Sequence, residues 1–155
     1  MNKLKNSKGI TLSGLAITII VLTILATVGA TVGITNVREA KDAKLDTELE
    51  MVQHAILEQY VKFETTKDVV YLVGNKLEKS EVDQIAQELD ITLVEIPDTY
   101  ENKDYYKLDK ASLKEIGIQN TDDEYIVNYI SGEVINITSK KNDNKPLYTK
   151  ADNFK

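Results

Sequence analysis

Between Lys8 and Arg38 lie 29 consecutive residues without an Asp, Glu, Lys, Arg or His. Most are Ile, Leu, Val, Ala and Thr. A run of that kind has few fates. About 20 apolar residues, at roughly 1.5 Å each, cross the hydrocarbon core of a bilayer as a helix. Ile10 to Ile34 is 25 residues, which predicts a transmembrane helix over 10–35. Lys3, Lys5 and Lys8 precede it and no acid does. The positive-inside rule therefore keeps Met1 in the cytoplasm and puts the residues after Arg38 outside. The expected product is a single-pass chain in the cell membrane, N-terminus in.

The same residues carry a family resemblance. A short basic leader ending in Lys8-Gly9, followed by Ile10-Thr11-Leu12 at the head of a long apolar helix, resembles the class III signal of type IV pilins and pseudopilins. The likeness is specific over Lys8 to Ile34 and rests on layout alone beyond it. In that family a prepilin peptidase cuts after the glycine, here Gly9, and the new terminal residue, here Ile10, is usually N-methylated. Gly14 departs from the pattern, because most members have glutamate at this position. GITLSGLAITIIVLTILA is closer to a Gram-positive pseudopilin-like variant without that acid. Two plainer readings stand beside this one. An uncut signal anchor needs the same lysines and the same apolar length. A secretory signal peptide would be cut near Val28-Gly29-Ala30, although the apolar run continues past that point to Ile34.

Within the run, Thr23, Thr27, Thr31 and Thr35 fall four residues apart, and Gly29 and Gly33 form a G-x-x-x-G pair. In lipid, small residues let helix backbones approach and hydroxyls bond to a neighbouring helix. The other reading of the threonines is that each hydroxyl bonds within its own turn. Both remain open from the sequence.

The helical pattern continues beyond Asn36 with a different solvent. Leu45, Leu49, Val52, Ile56, Tyr60 and Phe63 recur at spacings of 4, 3, 4, 4 and 3. Charges including Arg38, Glu39, Lys41, Asp42 and Asp46 fill the other faces. This predicts an amphipathic extension over 36–64 that packs on its own domain. No Pro or Gly interrupts Thr35 to Glu64. One helix of about 50 residues, roughly 75 Å by the usual rise, is expected.

Residues 65–155 make up the expected extracellular domain. Val69 to Val73 and Ile91 to Ile96 read as strands, the second stopped by Pro97. Ser80 is placed to cap a short helix with Val82, Ile85, Ala86 and Leu89 on one face. Residues 98–106 read as a tyrosine-rich loop, and Asp109 to Ile116 as a helical turn ended by Gly117. Tyr125 to Tyr129, Ser131-Gly132 and Glu133 to Ile137 form the clearest hairpin. Residues 139–155 read as an irregular tail docked through Pro146-Leu147-Tyr148. The fold class is α+β, a long N-terminal helix on a small antiparallel sheet, which is also what the pilin resemblance implies.

Removing residues 1–37 leaves 155 − 37 = 118 residues, enough for one small domain. The net charge is −6, and loss of the three leader lysines makes it −9. An acidic exterior argues against general nucleic-acid binding. No cysteine is present, which excludes disulfides and thiolate metal sites. His54 is the sole histidine, and no nucleophile or nucleotide motif accompanies it. An enzyme is not expected, nor is a cofactor or metal. Thr121-Asp122-Asp123-Glu124 offers hard oxygens without EF-hand spacing and reads as a turn. Asn136-Ile137-Thr138 matches a glycosylation sequon inside an expected strand. Lys140, Lys141, Lys145, Lys150 and Lys155 give the tail a basic character that suits DNA or an anionic wall polymer, or else simply solvent. Tyr100, Tyr105 and Tyr106 offer stacking surface or packing for their loop.

The resemblance implies a filament subunit that works mechanically and adhesively. Its partners would be the prepilin peptidase, other pilin-like subunits through the N-terminal helix (Thr23, Thr27, Gly29, Thr31, Gly33), an assembly ATPase and a polytopic platform protein. The competing class is an uncut, membrane-anchored extracellular module that binds wall polymer or DNA.

Overall fold

Alternating spacings of three and four place Leu45, Leu49, Val52, Ile56 and Phe63 along one side of a helix, and all five are buried. A computed structural model describes residues 12–101, 103–119 and 121–149, with the side chains of 12–14 and 24–33 outside that description. The chain divides into two compact units, Met1–Ala40 and Lys41–Lys155. Helix α1 is formed by Leu12–Thr66. Its residues through Ala40 belong to the first unit and those from Lys41 to the second.

The second unit is α+β. Its strands are β1 (Asn75–Lys76), β2 (Tyr105–Leu108), β3 (Tyr125–Asn128), β4 (Glu133–Asn136) and β5 (Leu147–Thr149), and they pair antiparallel in that order. Helix α2 (Lys79–Leu89) lies between β1 and β2 in sequence, and α3 (Lys110–Glu115) between β2 and β3. The ladder sets Leu108, Tyr125, Asn136 and Leu147 in one row across the sheet, with Tyr106, Val127, Val134 and Thr149 in another. Strand alternation points both rows to the same face. Leu108, Tyr125, Val127, Val134 and Leu147 join the α1 stripe in one core. Val52 and Ile56 are fully buried there, each contributing about 1.5–3 kcal/mol by removal from water. Gln53 reaches the sheet from the same helix, its Nε2 donating to Gly132 O at 2.8 Å and Thr149 Oγ1 at 2.9 Å.

The opposite face of β3 and β4 is buried as well, with Ile126, Asn128, Glu133 and Ile135 almost fully covered. Hydrogen bonds bring residues between Val94 and Asp104 onto that face. Val94 N–H donates to Glu133 Oε2 at 3.3 Å, and Asn128 Nδ2 donates to Lys103 O at 2.9 Å.

Several local expectations are corrected. Val69–Tyr71 is a 3-10 turn capped by Asp68, with Val69 and Val70 exposed. The first strand is instead Asn75–Lys76, placed by the close approach of Gly74 to β2. Ile91–Ile96 joins no ladder. The loop read over 98–106 ends in β2, and the tail read as irregular contains β5. Helix α2 is capped two residues earlier than Ser80. Glu78 is its N-cap, and the Glu81 carboxylate accepts the Glu78 N–H at 3.0 Å. The hairpin is present, with shorter strands than read and a longer turn, Tyr129–Gly132 in place of Ser131-Gly132. There the Asn128 Oδ1 accepts the N–H groups of Ile130 and Ser131 at 3.0 and 2.9 Å.

Candidate functional site

The first unit presents apolar surface without a cover of its own. Leu15, Ile17, Ile19, Ile20, Val21 and Leu22 are each between 47 and 65 % exposed. At 100° per residue these positions distribute around the whole helix, not along one stripe. A helix apolar on every side belongs in lipid or among other helices. Among the described residues no helix is long and apolar enough to cross a membrane. The apolar run read from Ile10 to Ile34 includes residues 24–33, whose side chains lie outside the description.

Gly9 and Ile10, the expected cleavage and methylation positions, also lie outside the described residues. Of the expected packing positions, Thr23 donates its hydroxyl to Ile19 O at 2.8 Å, one turn back. The exposed Thr18 does the same to Leu15 O at 2.8 Å. Both bonds leave the helix surface apolar. Thr27, Gly29, Thr31 and Gly33 are helical in backbone, with their side chains outside the description.

The second unit contains an open cleft of about 680 Å³. Its lining includes residues 93–98, Val82 and Asp83 of α2, and Tyr105 of β2. Behind it the Tyr105 hydroxyl donates to the buried Glu133 Oε2 at 2.6 Å. Burial, and next that hydrogen bond, push the Tyr105 phenol far above its ordinary range. Nothing in the sequence marked Glu133, which sits at a strand start after Gly132. Its carboxylate accepts from residues 28 and 39 positions away in the chain, Tyr105 and Val94.

The other positions of interest serve the fold. Asp122 pairs with Lys110, and Glu124 pairs with Lys107 at 2.9 Å. Asp123 accepts from Asn136 Nδ2 at 2.7 Å and Ser139 Oγ at 2.9 Å. The acidic turn is thus tied into the sheet's end. Asn136 of the sequon is 1 % exposed with its amide nitrogen engaged, a position closed to a glycosylating enzyme. Among the described residues, no group of three or more His, Cys, Asp or Glu is arranged to hold a metal. Lys141 of the basic tail grips Asp46 of α1 at 2.6 Å. Tyr106 packs edge-on against Tyr129 with ring centroids 5.4 Å apart. Tyr105 and Tyr106 therefore pack the sheet, while Tyr100 stays 40 % exposed.

In comparison with known proteins, no family model, curated protein or solved structure matches this chain.

Proposed function

We propose that this chain is a pilin-like structural subunit of a type IV pilus or type II secretion-like filament. It is processed by prepilin peptidase after Gly9, held in the membrane by the apolar half of α1, and assembled through that half. The observation that carries the reading is the all-round apolar surface of Leu15 to Leu22, on a helix whose later residues, Leu45 to Phe63, belong to the core of the sheet-bearing unit. Lipid covers such a surface before assembly, and neighbouring helices cover it afterwards. The sequence of the leader supports the same reading. Its work is mechanical and adhesive, with no turnover.

Intact-mass measurement of the membrane-extracted protein tests this. The expected chain begins at Ile10, lighter by residues 1–9, with one added methyl if the terminus is modified. A chain still beginning at Met1, in cells with an active prepilin peptidase, overturns the reading in favour of an uncut anchored binding module. A chain beginning at Thr31 assigns it to the ordinary secretory route.

A further inference from the structure

Ile91-Thr92-Leu93-Val94-Glu95-Ile96 has the composition of a strand and, among the described residues, pairs with none in a ladder. Among the described residues, the backbone groups of Thr92, Leu93, Glu95 and Ile96 make no hydrogen bond. Val94 makes one, its N–H to the buried Glu133 Oε2. The segment is nevertheless held at both ends. Ile91 N–H donates to Ala86 O at 3.0 Å, and beyond Pro97 a turn closes with Tyr100 N–H on Pro97 O at 3.2 Å. A fixed row of unsatisfied amides and carbonyls is a template for a further strand. Residues 93–98 also wall the cleft, whose volume falls in the roughly 300–1,000 Å³ range of ligand-binding clefts.

Charge narrows the occupant. Lys103 is paired with Asp98 at 2.6 Å, and Asp104 with Lys76 at 2.7 Å. Asp83 and Glu95 are then set against Lys79 alone among the remaining lining charges. We propose that this cleft binds an extended peptide of another protein chain, which adds as a strand along Thr92–Ile96 and brings a basic side chain to Asp83 and Glu95. The groups involved all belong to the second unit, so the proposal stands independently of how the N-terminal helix is processed or covered.

The probe is a synthetic heptapeptide alternating valine with threonine and carrying one lysine, added to the full-length chain in mild detergent. Amide hydrogen exchange is followed residue by residue. Saturating peptide is expected to slow exchange at Leu93 and Glu95 by at least about tenfold, since each amide that enters a ladder must open to exchange, and to leave Val94 unaltered, because its N–H is held by Glu133 on the opposite edge. The same peptide N-methylated at alternate amides keeps its side chains and loses its donors. It is expected to bind about tenfold or more weakly. Exchange unaltered at millimolar peptide overturns the proposal, as does equal binding of the N-methylated copy. Protection that grows with protein concentration alone overturns the heterologous partner and makes a second copy of this chain the occupant. A peptide with glutamate in place of lysine that binds equally well overturns the role given to Asp83 and Glu95.

Discussion

Gly74 stands immediately before β1 with φ +107°, and a Cβ built there lies 2.7 Å from Lys107 O and 2.7 Å from Leu108 Cδ2. Two effects oppose Gly74→Ala. The backbone angle is one that side chains resist, at a cost of about 1–3 kcal/mol. The contact with Lys107 O involves ladder backbone, since Asn75 pairs with Lys107, and overpacking of this kind costs about 1–3 kcal/mol more. The preceding residue has little room to retreat, because the Tyr129 hydroxyl donates to Val73 O at 2.8 Å. A combined loss near 4 kcal/mol is expected. The second unit has 115 residues, and about 2.1 cal/mol/K per residue makes its unfolding entropy about 0.24 kcal/mol/K. The expected drop in melting temperature is then roughly 15 °C. Gly117→Ala is the internal control. Its φ is +87°, but nothing lies within 4 Å of the added Cβ, so only the angular cost applies, and about 4–12 °C follows. Near-ultraviolet circular dichroism reads the second unit selectively, because all eight tyrosines lie beyond residue 59. A Gly74→Ala melt no lower than that of Gly117→Ala would refute the close approach as the reason for glycine.

Other perturbations separate the remaining claims. Burial, first among the causes, raises the phenols of Tyr105 and Tyr129 and pushes Tyr125 up to about 12. Their neutral forms favour the fold fully below the unfolded value near 10, and that stability is lost as pH climbs through the folded values. Alkaline titration should therefore show delayed ionisation coincident with unfolding; eight phenolates appearing together near pH 10 while the fold persists would contradict it. Asp109 accepts from Ser112 N–H and Oγ, each at 2.9 Å, which holds its carboxyl below the usual carboxylate value. Its contribution is present above the unfolded value near 4 and lost as pH falls through the folded one. Asp109→Asn keeps the cap, so its urea midpoint should fall less than wild type's on acidification in that window, and parallel declines would count against the reading. Gly29→Leu with Gly33→Leu should insert normally yet enter filaments about tenfold less often, because close backbone approach is lost; equal abundance in sheared filaments would exclude these glycines from the packing surface.

Where structure is local, the sequence was enough. The stripe of Leu45, Leu49, Val52, Ile56 and Phe63 announced the buried side of α1, because 3.6-residue periodicity needs no knowledge of what lies opposite. The α2 face, α3 ending at Gly117 and the Tyr125–Ile137 hairpin were legible on the same ground, with turn chemistry and periodicity confined to a few neighbours. The uncharged, largely apolar run from Ile10 to Ile34 likewise bounds what can surround it.

Which apolar segments become strands is a different kind of question. Ile91–Ile96 has a stronger strand composition than Pro146-Leu147-Tyr148, yet it is Leu147 and Tyr148, with Thr149, that join the ladder. Leu147 lies across from Asn136 and contributes to the α1 core, while Val94 gives its N–H to a carboxylate on β4. Val69 and Val70 lost their expected strand to a capped turn, and two residues following Gly74 took the edge instead. Buried Glu133, Asn128 as the pin of both hairpin and 103–104 loop, and the cleft behind Tyr105 were equally invisible in the chain. The physical reason is common to all of them. A ladder partner or a buried carboxylate's donor comes from tens of residues away, and only the assembled core decides which of several competing apolar segments reaches the sheet.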